Sequence, residues 1–236
     1  MMTTPTSTTT TVRAPWLIPG ALVAAAGGAL VLALCNLLVG ITPGRTAVAS
    51  TADQVRLVGA HPVLTEWIIA TGVLAAVLLV PGIWAVAARL APRSRWLSTI
   101  GGWAMASGYV CSLALTTDTM YSLAVAQGGL GPEAYGAAVD GSSSIWSVVV
   151  FGVFGIGGLA GAVILGIAIL RQGGAVPAWL GWLLIAAEPV RIAGLASGLV
   201  QVGPPLASVL IAVAFAGVII ATRRPRVPRA LGTAPA

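Results

Sequence analysis

Hydrophobic positions in this chain come in long blocks rather than in alternation. Apolar residues run from about Trp16 to Val39, Trp67 to Ala88, Trp96 to Leu115, Ile145 to Leu170, Pro177 to Val200 and Pro204 to Ala221. Each block supplies the roughly 20 residues that a membrane-spanning helix needs. None shows the period-two alternation of a membrane β-barrel, and a helix is the other way to satisfy a backbone in lipid. The pattern predicts an all-α bundle of six transmembrane helices over residues 16–222. A Thr-rich tail, residues 1–15, precedes it and reads as disordered; a basic tail, residues 223–236, follows.

The polar stretches between blocks differ in length. Those after the second and fourth blocks, RLAPRSR and RQGGAVP, are short and predict two antiparallel hairpins. Those after the first and third blocks are long. In the first, Asp53 and Arg56 stand three apart beside Val55 and Val58, which predicts a short amphipathic helix on the membrane surface. The other, residues 116–144, is rich in Gly and Ser and reads as a mobile loop.

Charge turns this pattern into a topology. The net charge is +6, and all twelve basic residues are Arg. With the N-terminus cytoplasmic, Arg13, Arg89, Arg93, Arg95, Arg171, Arg223, Arg224, Arg226 and Arg229 fall inside, and only Arg45 and Arg56 fall outside. Asp53, Glu66, Asp118, Glu133 and Asp140 all fall outside or at the outer boundary. Cytoplasmic connections collect Arg, so both termini are expected in the cytoplasm. Trp16, Trp96, Trp179 and Trp182 then flank inner ends, and Trp67 and Trp146 flank outer ends. Trp84 sits near the inner end of the second block; Trp103 is deeper and reads as a packing residue. Ala47-Val48-Ala49 has the small-residue form of a signal-peptidase site, but the block before it exceeds the 7–15 residues of a signal core, so a retained helix is expected.

Composition excludes more than it assigns. The chain of 236 residues is 58% hydrophobic and 8% charged, against about 25% charged in soluble domains. Its Arg residues lie at helix ends with no aromatic platform between them, so the basic balance reflects topology and no nucleic acid is expected as partner. The partner is the lipid bilayer. Cys35 and Cys111 lie in apolar blocks without metal spacing; they read as small buried hydrophobes, with an intramembrane disulfide as the alternative. Small-residue rows mark packing faces at Gly20, Ala24 and Gly28, at Gly157 and Gly161, and at Gly194 and Gly198. They suit packing within the bundle, with homo-oligomerisation as the alternative.

The turn RLAPRSRWLSTIGG, a polar outer loop with a short surface helix, and the run ILRQGGAVPAWLGWLLIAA together resemble a large group of small bacterial six-helix membrane proteins catalogued as a domain of unknown function. In that group an apolar helix ends in a basic residue and a Gly, a Pro follows, and Leu-Gly opens the next helix. The resemblance covers about residues 16–222. It implies the six-helix architecture and a bacterial inner-membrane location. It brings no activity and no functional residues.

Candidate chemistry is sparse. His61 is the only histidine and reads as an exposed loop residue; with one His, no haem or metal site is expected and no cofactor is implied. Ser142, Ser143 and Ser144 have no base and no nucleophile elbow near them in sequence, and read as a polar turn capping the fourth block. No catalytic set is found, which points away from an enzyme. The outlier is AAEPVRIAG, residues 186–194. Glu188 and Arg191 lie on one helix face near mid-membrane, where each charge costs roughly 2.5–3.5 kcal/mol. Pro189 removes a backbone donor beside them and frees the Ile185 carbonyl. Such residues face the bundle interior and pair. Asn36, Thr117, Asp118 and Tyr121, near the outer ends of other helices, are expected to line an outward-facing cavity with Glu188 and Arg191 at its floor. Two roles stay open: an ion pair that pins a helix, or a site for a small polar ligand, an ion or a proton. The expected function is a non-enzymatic binding or accessory membrane protein; the alternative is a small transporter working through Glu188 and Arg191.

Overall fold

The computed structural model describes residues 17–142 and 144–223. The Thr-rich tail, Arg13, Trp16, Ser143, Arg224, Arg226 and Arg229 lie outside these residues. Among the described residues the regular elements are all helical: α1 (Leu17–Leu22), α2 (Gly28–Ile41), α3 (Thr51–Ala60), α4 (Pro62–Cys111), α5 (Leu113–Gln127), α6 (Pro132–Asp140), α7 (Ile145–Leu170), α8 (Ala178–Ala196) and α9 (Gly203–Ala221). A π-turn, Val23–Gly27, joins α1 to α2, and a 3-10 turn, Arg45–Ala47, follows α2.

Among the described residues, five stretches are long and apolar enough to cross a membrane: Pro19–Ile41, Pro62–Gln127, Ile145–Leu170, Ala178–Ala196 and Gly203–Ala221. The chain is a multi-pass membrane protein. The second stretch holds two of the predicted blocks. The loop expected between them stays helical through Pro92, and only Ser94 leaves helical geometry, with φ −143° and ψ 50°. That single residue turns the chain back on itself. A Cβ at Gly102 would lie 2.9 Å from the Ala87 Cβ, and one at Gly72 would lie 3.0 Å from the Thr116 Oγ1. Both pairings are centred on Ser94, so α4 is a hairpin of two antiparallel arms.

Glycine sets how closely the other helices approach. A Cβ at Gly28 would sit 2.7 Å from the Leu79 backbone nitrogen. Gly82 faces the backbone of Ala24 and Ala25, where the π-turn bulges toward α4, and Gly161 faces the Met105 backbone. Gly194 and Gly203 face each other across α8 and α9. Gly28 meets Leu79 while Gly82 meets Ala25, and Gly161 meets Met105 while Gly108 meets Gly158, so in each pair the positions run in opposite order and the helices pack antiparallel. Asn36 then ties α2 back to α9. In lipid, such packing relies on close backbone approach rather than on burial from water. Gly20 and Gly198 depart from the expected rows. A Cβ at either would meet no packed neighbour within 4 Å among the described residues, and Gly198 has φ +74°, the left-handed position that ends α8. Trp103 departs too: it is 64% exposed, because it points outward from the α4 hairpin rather than into the core. The core proper joins Leu79, Ile83, Met105, Leu165, Leu184 and Phe215.

The segment 116–144, expected as a mobile loop, is mostly helix. α5 prolongs the second arm to Gln127, and α6 begins at Pro132, a favoured first helical residue. α3 is the predicted amphipathic helix, with Val55 and Val58 buried, but its apolar face meets protein. Ala52 packs on Gly136 of α6, and Gly59 packs on Ala126 of α5. Together α3, α5 and α6 form a helical cap at one end of the bundle.

Candidate functional site

α8 stays helical across Pro189 and carries both outlying charges inward. Arg191 Nε lies 3.0 Å from Glu188 Oε2, with side chains 16% and 9% exposed. The i,i+3 spacing makes the pair local to one helix. The Nε faces the carboxylate at ion-pair distance but off the angle of a hydrogen bond, and Nη2 is also buried without a hydrogen-bond partner. Tyr109, on the second arm of α4, is 5% exposed and interacts electrostatically with both charges from another helix. Tyr109 was not singled out from the sequence. Its signal is a lone phenol inside the apolar run GGWAMASGYVCSLAL.

The other expected members of the site are elsewhere. Asn36 donates to Ser208 Oγ at 3.0 Å and to the Pro204 carbonyl at 3.5 Å, so its amide is committed to joining α2 and α9. Thr117 is exposed and donates to the carbonyl of Leu113 in its own helix. Asp118 is exposed, and Tyr121 is 61% exposed. The second arm turns these three outward because its inward face is taken by Thr116 against Gly72 and by Ser122, Leu123 and Val125. The expected cavity floored by the pair is thus replaced by a closed pair in packed surroundings, with Leu184 and Ala187 beside it at 0% exposure.

Two polar clusters lie away from this pair; of their members, the sequence pointed to Asp53 and Arg56, three apart, but not to the residues they join. The first is Gln172, 4% exposed, in the turn after α7. Its Nε2 donates to the carbonyls of Leu90 and Ala168, at 3.1 Å each, and reaches Ser94 Oγ at 3.5 Å. Arg93 donates to the Gln172 carbonyl. One side chain therefore satisfies carbonyls at the Ser94 turn and at the end of α7, groups that would otherwise be orphaned. The second cluster holds the cap. The Ser50 hydroxyl caps α3 by accepting from the Asp53 N–H at 3.2 Å, and Asp53 pairs with Arg56 at 2.7 Å. Arg56 reaches on to Glu133 of α6, and Asp140 accepts from Thr51. The Ser50 hydroxyl, the Ala49 N–H and Arg56 hold the Asp53 carboxyl below the usual carboxylate range, and Arg56 does the same for Glu133.

Cys35 and Cys111 are free thiols, which removes the disulfide alternative; the Cys35 Sγ faces the Ile68 carbonyl at 3.6 Å. His61 is half-buried, at the junction of α3 and α4, rather than exposed. Ser144 stands at the start of α7 but makes no side-chain cap bond, and Ser142 donates instead to the Val139 carbonyl. Among the described residues, no three of His, Cys, Asp and Glu gather where a metal ion could be held. No family model, curated protein or solved structure matches the chain.

Proposed function

We propose that this chain is a six-span bacterial inner-membrane protein, with both termini cytoplasmic and helix one retained, that acts by binding or as an accessory component and not as an enzyme. The first arm of α4, and the second arm as α5 prolongs it to Gln127, count as two spans, because each is then long enough to cross ~30 Å of hydrocarbon at ~1.5 Å per residue. The Arg-rich turns around Ser94 and Gln172 lie at one end and the acidic cap at the other, which favours a cytoplasmic side for the turns. The kinship with the six-helix group of unknown function rests on the turn sequences quoted above.

The observation that carries the non-transport reading is the closure of Glu188 on Arg191 within packed α8. A pair that neutralises itself between Leu184 and Ala187 needs no solute to balance it. Its role is to hold α8 against the second arm through Tyr109. One observation favours the alternative, a small transporter: Arg191 keeps a buried Nη2 without a hydrogen-bond partner. Accessibility separates the two. In a background lacking Cys35 and Cys111, Ala187→Cys is expected to stay unlabelled by a small membrane-impermeant thiol reagent applied from either side. Labelling from one side would overturn the staple reading and support a transport path.

A further inference from the structure

We propose that Arg45 and its surroundings form a binding site for one anionic oxygen group, a phosphate or a carboxylate, beneath the cap at the outer membrane boundary. The proposal goes beyond the staple reading and shares no residue with it.

A cavity of about 50 Å³ lies where five elements meet: the end of α2, the 3-10 turn, α3 and the two arms of the α4–α5 hairpin. A cavity needs roughly 10–15 Å³ to hold one water, so this one admits a small group and not a whole lipid. Arg45 and Gln54 line it, together with Thr42, Thr65 and Thr119. Thr42 and Thr65 are 8% and 3% exposed. The hydroxyl hydrogens of Thr42, Thr65 and Thr119 are donated to the carbonyls of Leu38, His61 and Leu115, so the groups left to meet an anion are the Arg45 guanidinium and the Gln54 amide, and no carboxylate lines the cavity.

Arg45 is the uncompensated charge. Gln54 Oε1 accepts from its Nη1 at 2.5 Å, and among the described residues no acid lies within ion-pair distance of the guanidinium. Asp53, next along α3, is turned away and spent on Ser50, Ala49 and Arg56. Burial lowers the tendency of Arg45 to carry charge, yet a guanidinium stays protonated, so the cost is met by an anion or left unmet. A guanidinium presents a planar fork that suits phosphate and carboxylate oxygens. Gly44, at φ +82°, makes the bend after α2 that brings Arg45 under α3. The anion has two sources at this depth: the phosphate of an acidic lipid headgroup, or a free anion from the outer aqueous phase.

The test has two arms, each with wild type, Arg45→Gln and Gln54→Glu. Gln54→Glu keeps the fold and places an internal carboxylate on Arg45. In detergent, the melting temperature is followed against sodium phosphate, with sodium chloride at matched ionic strength as control. In nanodiscs, native mass spectrometry counts phosphatidylglycerol retained from mixtures with phosphatidylcholine. Wild type should gain stability from phosphate, retain phosphatidylglycerol, or both, and the affinity should fall at least about tenfold in both variants. A phosphate response alone assigns a free anion; retention alone assigns a lipid headgroup. Wild type indifferent in both arms, or Gln54→Glu responding like wild type while folded, overturns the proposal.

Discussion

Glu188 and Arg191 show how one residue's environment decides its role. Removing one member of a buried pair strands the other, which typically costs about 3–5 kcal/mol, whereas replacing both by apolar groups can be neutral. Arg191→Met should therefore lower the detergent melting temperature sharply, and Glu188→Gln should do so as well. Combining Glu188→Gln with Arg191→Met should recover most of the loss. Additive losses in the double variant would mean that the two side chains are held by other partners. That the pair would form was legible in the sequence, because i,i+3 charges in an apolar helix have few other options. Its partner Tyr109 was not legible, because one phenol among small residues gives no indication of which helix it will meet. Asn36 misled for the opposite reason. A polar residue in a membrane block must find a partner, and Ser208 on α9, more than 170 positions away, supplied it.

At the scale of elements, the cap is the part that sequence patterning described least well. Gly and Ser in residues 116–144 suggested mobility, yet Gly128, Gly129 and Gly131 only separate α5 from α6. Gly136 is a contact residue that lets α6 meet Ala52. The ion pairs across α3 and α6 make the cap sensitive to acid. Asp53 and Glu133 both ionise more readily in the folded cap than in the unfolded chain. Their contribution is complete above the ordinary carboxyl values, 3.8 and 4.5, and is lost as pH falls below these through the lower folded values. Amide hydrogen exchange in residues 51–60 and 132–140 should therefore rise as the pH is taken below about 4, after correction for the intrinsic exchange rate. Arg56→Met should raise it already at neutral pH. Exchange in the cap that is indifferent both to acid and to this substitution would show that Val55 and Val58 alone hold it.

At the scale of the whole molecule, the blocks of apolar sequence located the helices well and their turns poorly. The connection RLAPRSR reads as a loop because it carries three Arg and a Pro. In the structure the backbone departs from helix only at Ser94, and Gln172 closes the turn from another connection. A turn stabilised by a distant side chain leaves little mark in its own sequence. The account turns on this hairpin: if the α4 arms are two spans, the Ser94 turn, the α7–α8 turn and the cap must be sorted two against one across the membrane. The direct test is single-cysteine labelling with an impermeant maleimide in spheroplasts, in a background lacking Cys35 and Cys111. Arg95→Cys, Arg171→Cys and Glu133→Cys are all at exposed positions. The account predicts that Glu133→Cys is labelled in intact spheroplasts, and that Arg95→Cys and Arg171→Cys are labelled only after permeabilisation. Labelling of Arg95→Cys from the same side as Glu133→Cys would contradict it.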